Sequence, residues 1–368
     1  MKKLTAKVTA FVLAAAMALS LAACSSTAAS DSASSAASSE AVSEAAATAE
    51  PEATPAEDFS EEVSYPLTIT DHLGREVTIE EQPKTLVSGY YITTSLMISL
   101  GLQDELVGVE AKANTRNIYS LSAPEIIDLP SVGTAKEFDL EGCAALQPDL
   151  VVVPVKLKDS IPAMEELGLT VLAVNPENQD LLFETIDMIS QATNTVAAGE
   201  TLEYYISDAL ANLADTLTDT EAPSVYLAGN SSLLETAGPA MYQSTLIENA
   251  NGVNAAADVT DTYWAEVSYE QILAWNPDYI VLAADADYTV DSVLQDAALA
   301  DCKAVQEGHV YQLPGDIEAV DSPVPASFLG SIYLASVLHP DCVTDADYQT
   351  AVTDFYSTFY GFTPQVND

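Results

Sequence analysis

The sequence predicts an α/β protein built from two similar lobes, each with a mainly parallel sheet, joined by one long α-helix. Three observations predict this fold class. Short apolar runs alternate with helical segments, which is typical of parallel α/β layers. A pattern of fifteen residues occurs twice, at 139–153 and at 268–282. Between the two copies, residues 196–217 form an uninterrupted helical segment.

The first lobe is predicted to open with a small β-hairpin and to continue as alternating strands and helices. The turn sequence Asp71-His72-Leu73-Gly74 separates the two hairpin strands. Gly101 is expected to end the first helix. The later strands are short and apolar throughout, as expected for strands buried on both faces. In chain order, the predicted elements are strands at 68–70, 76–79 and 85–88, a helix at 93–100, and strands at 106–109, 150–153 and 170–174.

The internal repeat pairs DLEGCAALQPDLVVV at 139–153 with SYEQILAWNPDYIVL at 268–282. Aligned without gaps, the copies share a Glu, an Ala, a Pro-Asp pair and a Val. Each copy predicts an N-cap (Asp139 or Ser268), a two-turn helix, a break at the Pro-Asp pair and a buried strand, because Pro cannot continue a helix. Ser268 and Gln271 also have the spacing of a capping box. Two copies of one supersecondary unit indicate two similar lobes.

A helical stretch connects the two copies. Its first helix is broken near Thr193-Asn194, and a second helix is predicted from about Val196 to Leu217. At 1.5 Å per residue, about 22 residues span roughly 33 Å, which is enough to reach from one lobe to the other. A single crossing helix would make a stiff hinge.

The N-terminus resembles a bacterial lipoprotein signal. Lys2 and Lys3 precede an apolar run that ends in Leu-Ala-Ala-Cys24, and in such signals the Cys receives a diacylglyceryl group. The alternative is an ordinary secretory signal with an incidental Cys. Two or more acyl chains on Cys24 would give a stable anchor. The predicted domains are a leader (1–23), the lipidated Cys with a disordered Ser/Ala/Glu tether (24–63), an N-terminal lobe (64–177), a helical connector (178–220) and a C-terminal lobe with its final helix (221–368).

The net charge of −45 excludes some partners. A nucleic-acid binder needs a basic surface, and docking on an anionic membrane needs basic side chains, so we expect no nucleic acid and membrane contact only through the lipid. Because 48% of the residues are hydrophobic, the chain can still bury a core. The charge is uneven: residues 63–158 contain seven basic and thirteen acidic residues, whereas residues 159–368 contain Lys303 and 34 acidic residues.

Five segments, in this order, resemble the helical-backbone class of ABC-transporter substrate-binding proteins. The branch that it resembles handles iron complexes: siderophores, haem and cobalamin. The resemblance covers roughly residues 66–362. It implies two Rossmann-like lobes, one connecting helix and a ligand cleft between the lobes. It also implies a permease dimer with its ATPase as the partner, no cofactor, and a monomer. The segments are TDHLGREV (70–77), PSVG (130–133), LQPDLVVV (146–153), WNPDYIVL (275–282) and AVQEGHVY (304–311).

The resemblance also implies a function for the repeated glutamates. In the family, one Glu of each lobe docks on Arg pockets of the permease dimer, and the matching positions are Glu141 and Glu270. Each is expected at the second position of its helix, where the helix dipole stabilises a carboxylate. Simple capping is therefore the alternative. Two equivalent positions facing a two-fold partner favour docking.

The ligand is expected outside the carboxyl ends of the parallel strands. Lys112 and Arg116 lie on a first-lobe loop at this edge, and the family resemblance implies that the loop with Lys136, which enters the first repeat helix, lies close by. A cationic patch on an anionic protein attracts anions. Tyr90 and Tyr91 lie at the end of a first-lobe strand, and Trp264 lies just before the second repeat helix. The family resemblance implies that aromatic side chains at such positions face a large planar ligand, on which they can stack. The predicted ligand-binding residues are Tyr90, Tyr91, Lys112, Arg116, Lys136 and Trp264.

An anionic ferric siderophore suits both the aromatic and the basic residues, and we expect the protein to deliver it to an ABC importer. A small oxyanion (molybdate or tungstate) and cobalamin or haem remain alternatives, as does a surface-binding or sensor module without transport. No GxSxG, HExxH or P-loop pattern occurs, so an enzyme is not expected. The three His are dispersed, so no metal site is expected. Cys143 is predicted to be a small core residue, and a Cys302–Cys342 disulfide is considered.

Overall fold

The computed structural model describes residues 62–260 and 263–365. The predicted lipid-attachment residue Cys24, the leader and nearly all of the tether lie outside these residues. The strands are β1 (Leu67–Thr70), β2 (Glu76–Ile79), β3 (Leu86–Ser88), β4 (Leu106–Gly108), β5 (Leu150–Pro154), β6 (Val171–Val174), β7 (Ser224–Ala228), β8 (Glu235–Thr236), β9 (Val253–Asn254), β10 (Ala265–Glu266), β11 (Tyr279–Leu282) and β12 (Val310–Gln312). The α-helices are α1 (Tyr91–Ser99), α2 (Asn117–Ser122), α3 (Leu140–Ala145), α4 (Ile161–Glu166), α5 (Gln179–Thr193), α6 (Val196–Leu217), α7 (Tyr242–Asn249), α8 (Tyr269–Trp275), α9 (Val290–Leu294), α10 (Lys303–Glu307), α11 (Phe328–Leu338) and α12 (Asp345–Phe359).

The first lobe contains a four-stranded parallel sheet in the order β4-β3-β5-β6. Leu86 in β3 lies opposite Leu106 in β4 and Leu150 in β5. Every residue of β3, β5 and β6 is buried. Burial on both faces explains why these strands are continuous apolar runs without alternation. The predicted hairpin forms from β1 and β2, which pair antiparallel.

The second lobe contains a six-stranded sheet. Its main order is β10-β8-β7-β11-β12, and β9 also pairs with β7. The pairs of β7 with β11, β11 with β12, and β7 with β9 are parallel, whereas β8 is antiparallel to β7 and β10. The prediction of an α/β fold with mainly parallel sheets is therefore confirmed.

The internal repeat has the predicted local structure in both copies. The Asp139 side chain accepts a hydrogen bond from a backbone N–H of α3, and Ser268 forms a complete capping box with Gln271 at the start of α8. Both helices end before residues with positive φ: 51° at Gln147 and 45° at Asn276. The Pro that follows each of these residues cannot continue the helix, so the chain turns directly into β5 or β11.

The Asp of each Pro-Asp pair has the same function in the two lobes. The Oδ2 atom of Asp149 accepts hydrogen bonds from the backbone N–H groups of Lys84 (2.8 Å) and Thr85 (2.9 Å), just before β3. The Oδ2 atom of Asp278 accepts one from the N–H of Ser224 (2.7 Å), the first residue of β7. The carboxylate that precedes β5 therefore fixes the start of β3, and the one that precedes β11 fixes the start of β7. This explains why the repeat contains Pro-Asp.

The connecting helix is present at the predicted bounds. Asn194 has φ 61° and ends α5, and α6 then extends over 22 residues. The helix packs against α5, which in turn contacts β1 of the first lobe, and it also packs against α7 and α11 of the second lobe. Among the helices of residues 62–260 and 263–365, none is both long and apolar enough to cross a membrane.

The hydrophobic core has three parts. One cluster is continuous through both lobes and includes Leu86 of the first sheet, Leu227 of the second sheet and Leu202 of α6. The outer face of each sheet packs on a cluster of its own. The continuous cluster joins the lobes through close-packed side chains, which resist compression.

The described cysteines are all free thiols. Cys143 is fully buried in α3, as predicted, and burial raises the pKa of its thiol to about 11. The considered Cys302–Cys342 disulfide does not form. Cys302 is buried in the cluster on the outer face of the second sheet, whereas Cys342 is exposed beside Val343, which packs in the continuous core. The two thiols are therefore separated by the body of the lobe.

Candidate functional site: a two-chamber cleft

The loops at the carboxyl ends of the parallel strands meet in a cleft between the lobes, as the sequence predicted. The cleft contains two adjoining cavities of about 350 Å³ and about 390 Å³. Both are lined by Tyr91 from the first lobe and by Asp285 and Ser322 from the second. The Tyr91 hydroxyl donates a hydrogen bond of 3.1 Å to Ser322 Oγ, so the lobes are in contact where the cavities join.

The cavity of about 350 Å³ contains the basic side chains, and we call it the basic chamber. Lys112 and Arg116, from the loop that follows β4, line it. The Arg116 guanidinium carbon lies 4.1 Å from the centroid of the Tyr91 ring, a cation–π contact. Among the described residues, none accepts a hydrogen bond from this guanidinium. Its planar fork of donors is therefore available for an anionic group.

A buried carboxylate holds Arg116 in place. Glu110 is 5% exposed, and its Oε1 lies 3.3 Å from Arg116 Nε, an ion-pair contact without the geometry of a hydrogen bond. Thr94 Oγ1 donates to Glu110 Oε2 at 2.6 Å, and the Tyr119 hydroxyl donates to Oε1 at 2.8 Å. These contacts tie the loop after β4 to α1 and α2. The position of Arg116 is therefore fixed by packing before any ligand binds.

The cavity of about 390 Å³ has aromatic walls, and we call it the aromatic chamber. Tyr90 and Tyr91 follow β3, and their rings meet edge to face with centroids 5.2 Å apart. Burial raises the pKa of both hydroxyls, so these side chains stay neutral at physiological pH. The second lobe adds Tyr242, Tyr263 and Trp264. The aromatic residues that line the chamber are therefore Tyr90, Tyr91, Tyr242, Tyr263 and Trp264.

Carboxylates also line the aromatic chamber, which the sequence analysis did not predict. They are Glu177 of the first lobe and Asp285 and Asp321 of the second. Asp321 is 4% exposed, and burial raises the pKa of its carboxyl to about 6. Of the described residues that line this chamber, none is Lys or Arg. The aromatic chamber is therefore acidic, whereas the basic chamber combines Lys112 and Arg116 with the carboxylates of Asp285 and Glu318.

Glu318 lines the basic chamber and connects the two lobes. Ser95 Oγ of α1 donates a hydrogen bond of 2.9 Å to Glu318 Oε2 and also contacts the Tyr360 hydroxyl at 2.8 Å. Desolvation by the surrounding protein raises the pKa of Glu318 to about 7, although Ser95, Tyr356 and Arg116 act in the opposite direction. The charge of this carboxyl group therefore changes near neutral pH.

The pKa of Glu318 gives a testable pH dependence. A carboxyl whose pKa is raised on folding contributes stability that is complete below its unfolded pKa of about 4.5 and is lost as the pH rises through about 7. We expect Glu318→Gln to unfold at nearly the same temperature as the wild type at pH 5 and at a temperature a few degrees higher at pH 8. Differential scanning calorimetry at the two pH values tests this. A difference that does not change with pH would contradict it.

The predicted ligand residues do not all reach the chambers. Tyr90, Tyr91, Lys112, Arg116 and Trp264 line one or both cavities. Lys136 lies on the turn that precedes α3, where it is exposed and lines neither chamber. The turn is held by the Thr134 hydroxyl, which accepts hydrogen bonds from the backbone N–H groups of residues 136 and 137.

The repeated glutamates lie outside the chambers. Glu141 and Glu270 are both exposed, and each occupies the second position of a capped helix, α3 or α8. The pKa of Glu270 is lowered, first by its own backbone N–H and then by the Ser268 hydroxyl. Both carboxylates are therefore accessible to a partner.

Within residues 62–260 and 263–365, no three or more His, Cys, Asp and Glu side chains form a group that could hold a metal ion. The residues that line the chambers include aromatic rings, carboxylates, amides and two basic side chains.

Comparison with known proteins identifies the family. The sequence profile described as "Periplasmic binding protein" matches residues 86–317. The molybdate-binding protein MolA of Haemophilus influenzae is 28% identical over 322 residues, which cover 79% of this chain and 90% of MolA. YvrC of Bacillus subtilis, an uncharacterized ABC transporter substrate-binding lipoprotein, is 28% identical over 291 residues. The matched region covers 75% of this chain and 87% of YvrC. A cobalamin-binding protein of Halobacterium salinarum is 28% identical over 62% of each chain.

The solved structures agree with the sequence comparison. The structure of MolA bound to molybdate superposes with a TM-score of 0.71 at 25% identity, covering 82% of this chain and all of MolA. The two mainly parallel sheets, the single long helix between them and the cleft at the strand ends are thus those of a two-lobe binding protein. This chain belongs to the periplasmic binding protein family of ABC-transporter substrate-binding proteins, and it is a non-enzymatic transport component.

Proposed function

We propose that this protein is a lipid-anchored, extracytoplasmic solute-binding protein that captures an anionic ferric chelate, such as a siderophore complex, and delivers it to an ABC importer. The observation that carries the choice of ligand is the pairing of Arg116 with the aromatic walls of the cleft. The guanidinium donors bind the oxygens of the chelate, and the Tyr and Trp rings pack on its planar groups.

The dimensions of the cleft support a ligand of this size. Two adjoining cavities of about 350 Å³ and 390 Å³ are typical of sites that enclose a drug-sized molecule. The charges agree with a chelate as well. A chelate distributes its negative charge over many oxygens, so one end can contact Arg116 in the basic chamber while its planar groups pack on the aromatic rings.

A molybdate-type oxyanion is the second candidate, and the similarity to MolA favours it. Arg116 and Lys112 supply donors for a tetrahedral oxyanion. Against it, a five-atom dianion would leave the aromatic chamber empty and would face Glu318 and Asp285 in the basic chamber. Cobalamin is a further candidate because of the similarity to a cobalamin-binding protein.

A thermal-shift screen of the mature protein tests the choice of ligand. The panel contains ferric tris-catecholate, tris-hydroxamate and citrate complexes, haem, cobalamin, molybdate and tungstate. We expect at least one ferric chelate to raise the unfolding temperature, because a ligand at 1,000 times its Kd stabilises the folded state by about 4 kcal/mol. A shift with molybdate and with no iron complex would contradict the proposal.

Anchoring and delivery are separate parts of the proposal. Lipidation of Cys24 predicts a mature protein that partitions with membranes and is released to the soluble fraction by Cys24→Ser. Delivery to a permease dimer is assigned to Glu141 and Glu270, which are exposed at equivalent positions of the two lobes. A surface sensor module that reuses the fold would bind the ligand without any need for these two residues.

A further inference from the structure

Basic side chains line only one of the two chambers, and the proposed function accounts for that chamber alone. An anionic chelate explains Lys112 and Arg116 in the basic chamber. It does not explain why the adjoining aromatic chamber is lined by Glu177, Asp285 and Asp321, and by no basic residue among those described. A ligand that was anionic throughout would be repelled from half of the cleft.

The aromatic chamber has the composition of a cation site. A cation within about 6 Å of an aromatic centroid is attracted by the ring quadrupole, and the attraction grows when water is excluded. Five aromatic side chains line this chamber. Asp321 supplies a buried negative charge, and its Oδ2 lies 3.4 Å from the backbone N–H of Ala284. None of the described basic side chains forms an ion pair with it.

Unused hydrogen-bond acceptors provide an independent observation. The Oε1 atom of Gln243, which lines the chamber, is buried and has no hydrogen-bond partner among the described residues. The amide is oriented unambiguously, because its Nε2 donates a hydrogen bond of 2.8 Å to the backbone oxygen of Asp321. Asn230, which follows β7 and also lines the chamber, has a buried side-chain oxygen without a hydrogen-bond partner among the described residues. Buried acceptors are normally satisfied, so these positions are suited to donors from a ligand.

We propose that the ligand is bipolar: its oxygen-rich chelate centre lies against Arg116, and a protonated amine on one arm enters the aromatic chamber between the Tyr rings, Asp321 and Gln243. The inference rests on the proposed function, since it assigns the second half of the same ligand. An ammonium group supplies both the positive charge and the N–H donors that the chamber lacks. The pKa of Asp321, about 6, leaves its carboxyl mainly ionised at pH 7.5.

Two matched pairs of ferric complexes test the inference on the full mature protein. The first pair is ferrioxamine B, which has one free primary amine, and its N-acetyl derivative. The second is a tripodal ferric tris-catecholate with one aminoalkyl arm and the same complex with that amine acetylated. We expect the amine member of at least one pair to bind at least tenfold more tightly in isothermal titration calorimetry at pH 7.5, and the advantage to shrink at high salt.

Variants assign the preference to the chamber. Asp321→Asn is expected to reduce the ratio of affinities for the amine and acetylated members at least fivefold. Asp285→Asn removes a more exposed charge and provides a second variant if Asp321→Asn does not fold. Asp301→Asn, an exposed change elsewhere in the second lobe, serves as the control with the same change of net charge and is expected to keep the wild-type ratio.

The outcomes separate the two proposals. Equal affinities within both pairs, or tighter binding of the acetylated members, would overturn the bipolar ligand and leave the ferric chelate intact. A preference for the amine that survives in both Asp321→Asn and Asp285→Asn would also overturn the assigned chamber. Binding of no member of either pair would overturn the bipolar ligand, and the absence of a shift with every ferric complex of the thermal-shift panel would overturn the ferric chelate as well.

Discussion

The Glu141→Arg/Glu270→Arg double variant is expected to bind its ligand with wild-type affinity and to lose uptake. Both carboxylates are exposed and line neither chamber of the cleft. Reversing them places positive charges against the basic pockets of the permease that the family resemblance implies, and opposed like charges at an interface oppose association by several kcal/mol. We expect transport to fall by more than a hundredfold, measured as accumulation of radioactive iron in cells that express the variant.

The double variant needs a control with the same change of charge. Glu125→Arg/Glu221→Arg alters two exposed glutamates, one in each lobe, that are not at the repeated positions. We expect this control to transport normally. Normal uptake by the Glu141/Glu270 variant would refute the docking assignment. Reduced ligand affinity in that variant would show that the substitutions had altered the structure of the cleft.

Arg116→Gln is expected to weaken binding of an anionic ferric chelate by about 10- to 100-fold, because hydrogen bonds to a charged group contribute about 1.5–3 kcal/mol. The guanidinium lies in the basic chamber with no hydrogen-bond acceptor among the described residues. Lys136→Gln removes the same charge from an exposed loop outside the chambers and is expected to change the affinity less than twofold. Titration calorimetry measures both. Equal losses in the two variants would point to long-range attraction instead of contact.

Arg116 also neutralises Glu110, so its loss has a structural effect that must be separated from binding. Removing one partner of a buried ion pair leaves an uncompensated charge and is destabilising. We expect Arg116→Gln to unfold at a lower temperature than the wild type, and Arg116→Gln/Glu110→Gln to recover part of that stability. Affinity is expected to stay low in the double variant. Recovery of affinity together with stability would mean that Arg116 only supports the fold.

Local sequence signals predicted much of the fold. The Pro-Asp pair predicted the end of each repeat helix, and the structure adds that Asp149 and Asp278 fix the neighbouring strands. The helix from Val196 to Leu217 has the predicted bounds because α5 ends at Asn194, a residue that tolerates positive φ. Such signals lie within a few residues of the feature they determine. The feature can therefore be predicted without knowing which distant segments pack against it.

The sequence predicted the position of the cleft, but it predicted only some of the charged residues that line it. Tyr90, Tyr91 and Arg116 follow β3 and β4 and reach the chambers, because the carboxyl ends of parallel strands meet at one edge of a sheet. Lys136 was predicted from the family resemblance, and it lies on a separate exposed turn. No local signal indicated Asp321 or Gln243, which are far along the chain from Tyr91.

The sequence by itself determined the two α/β lobes, the connecting helix and the positions of Glu141 and Glu270. These depend on hydrophobic periodicity, N-caps and Pro, which act over a few residues. Only the tertiary structure decided that Arg116 is held by Glu110 and that Asp321 lies in a chamber with aromatic walls. The electrostatic character of a cavity depends on which charges several distant segments bring within a few ångströms and on how much water they exclude, and neither is encoded locally.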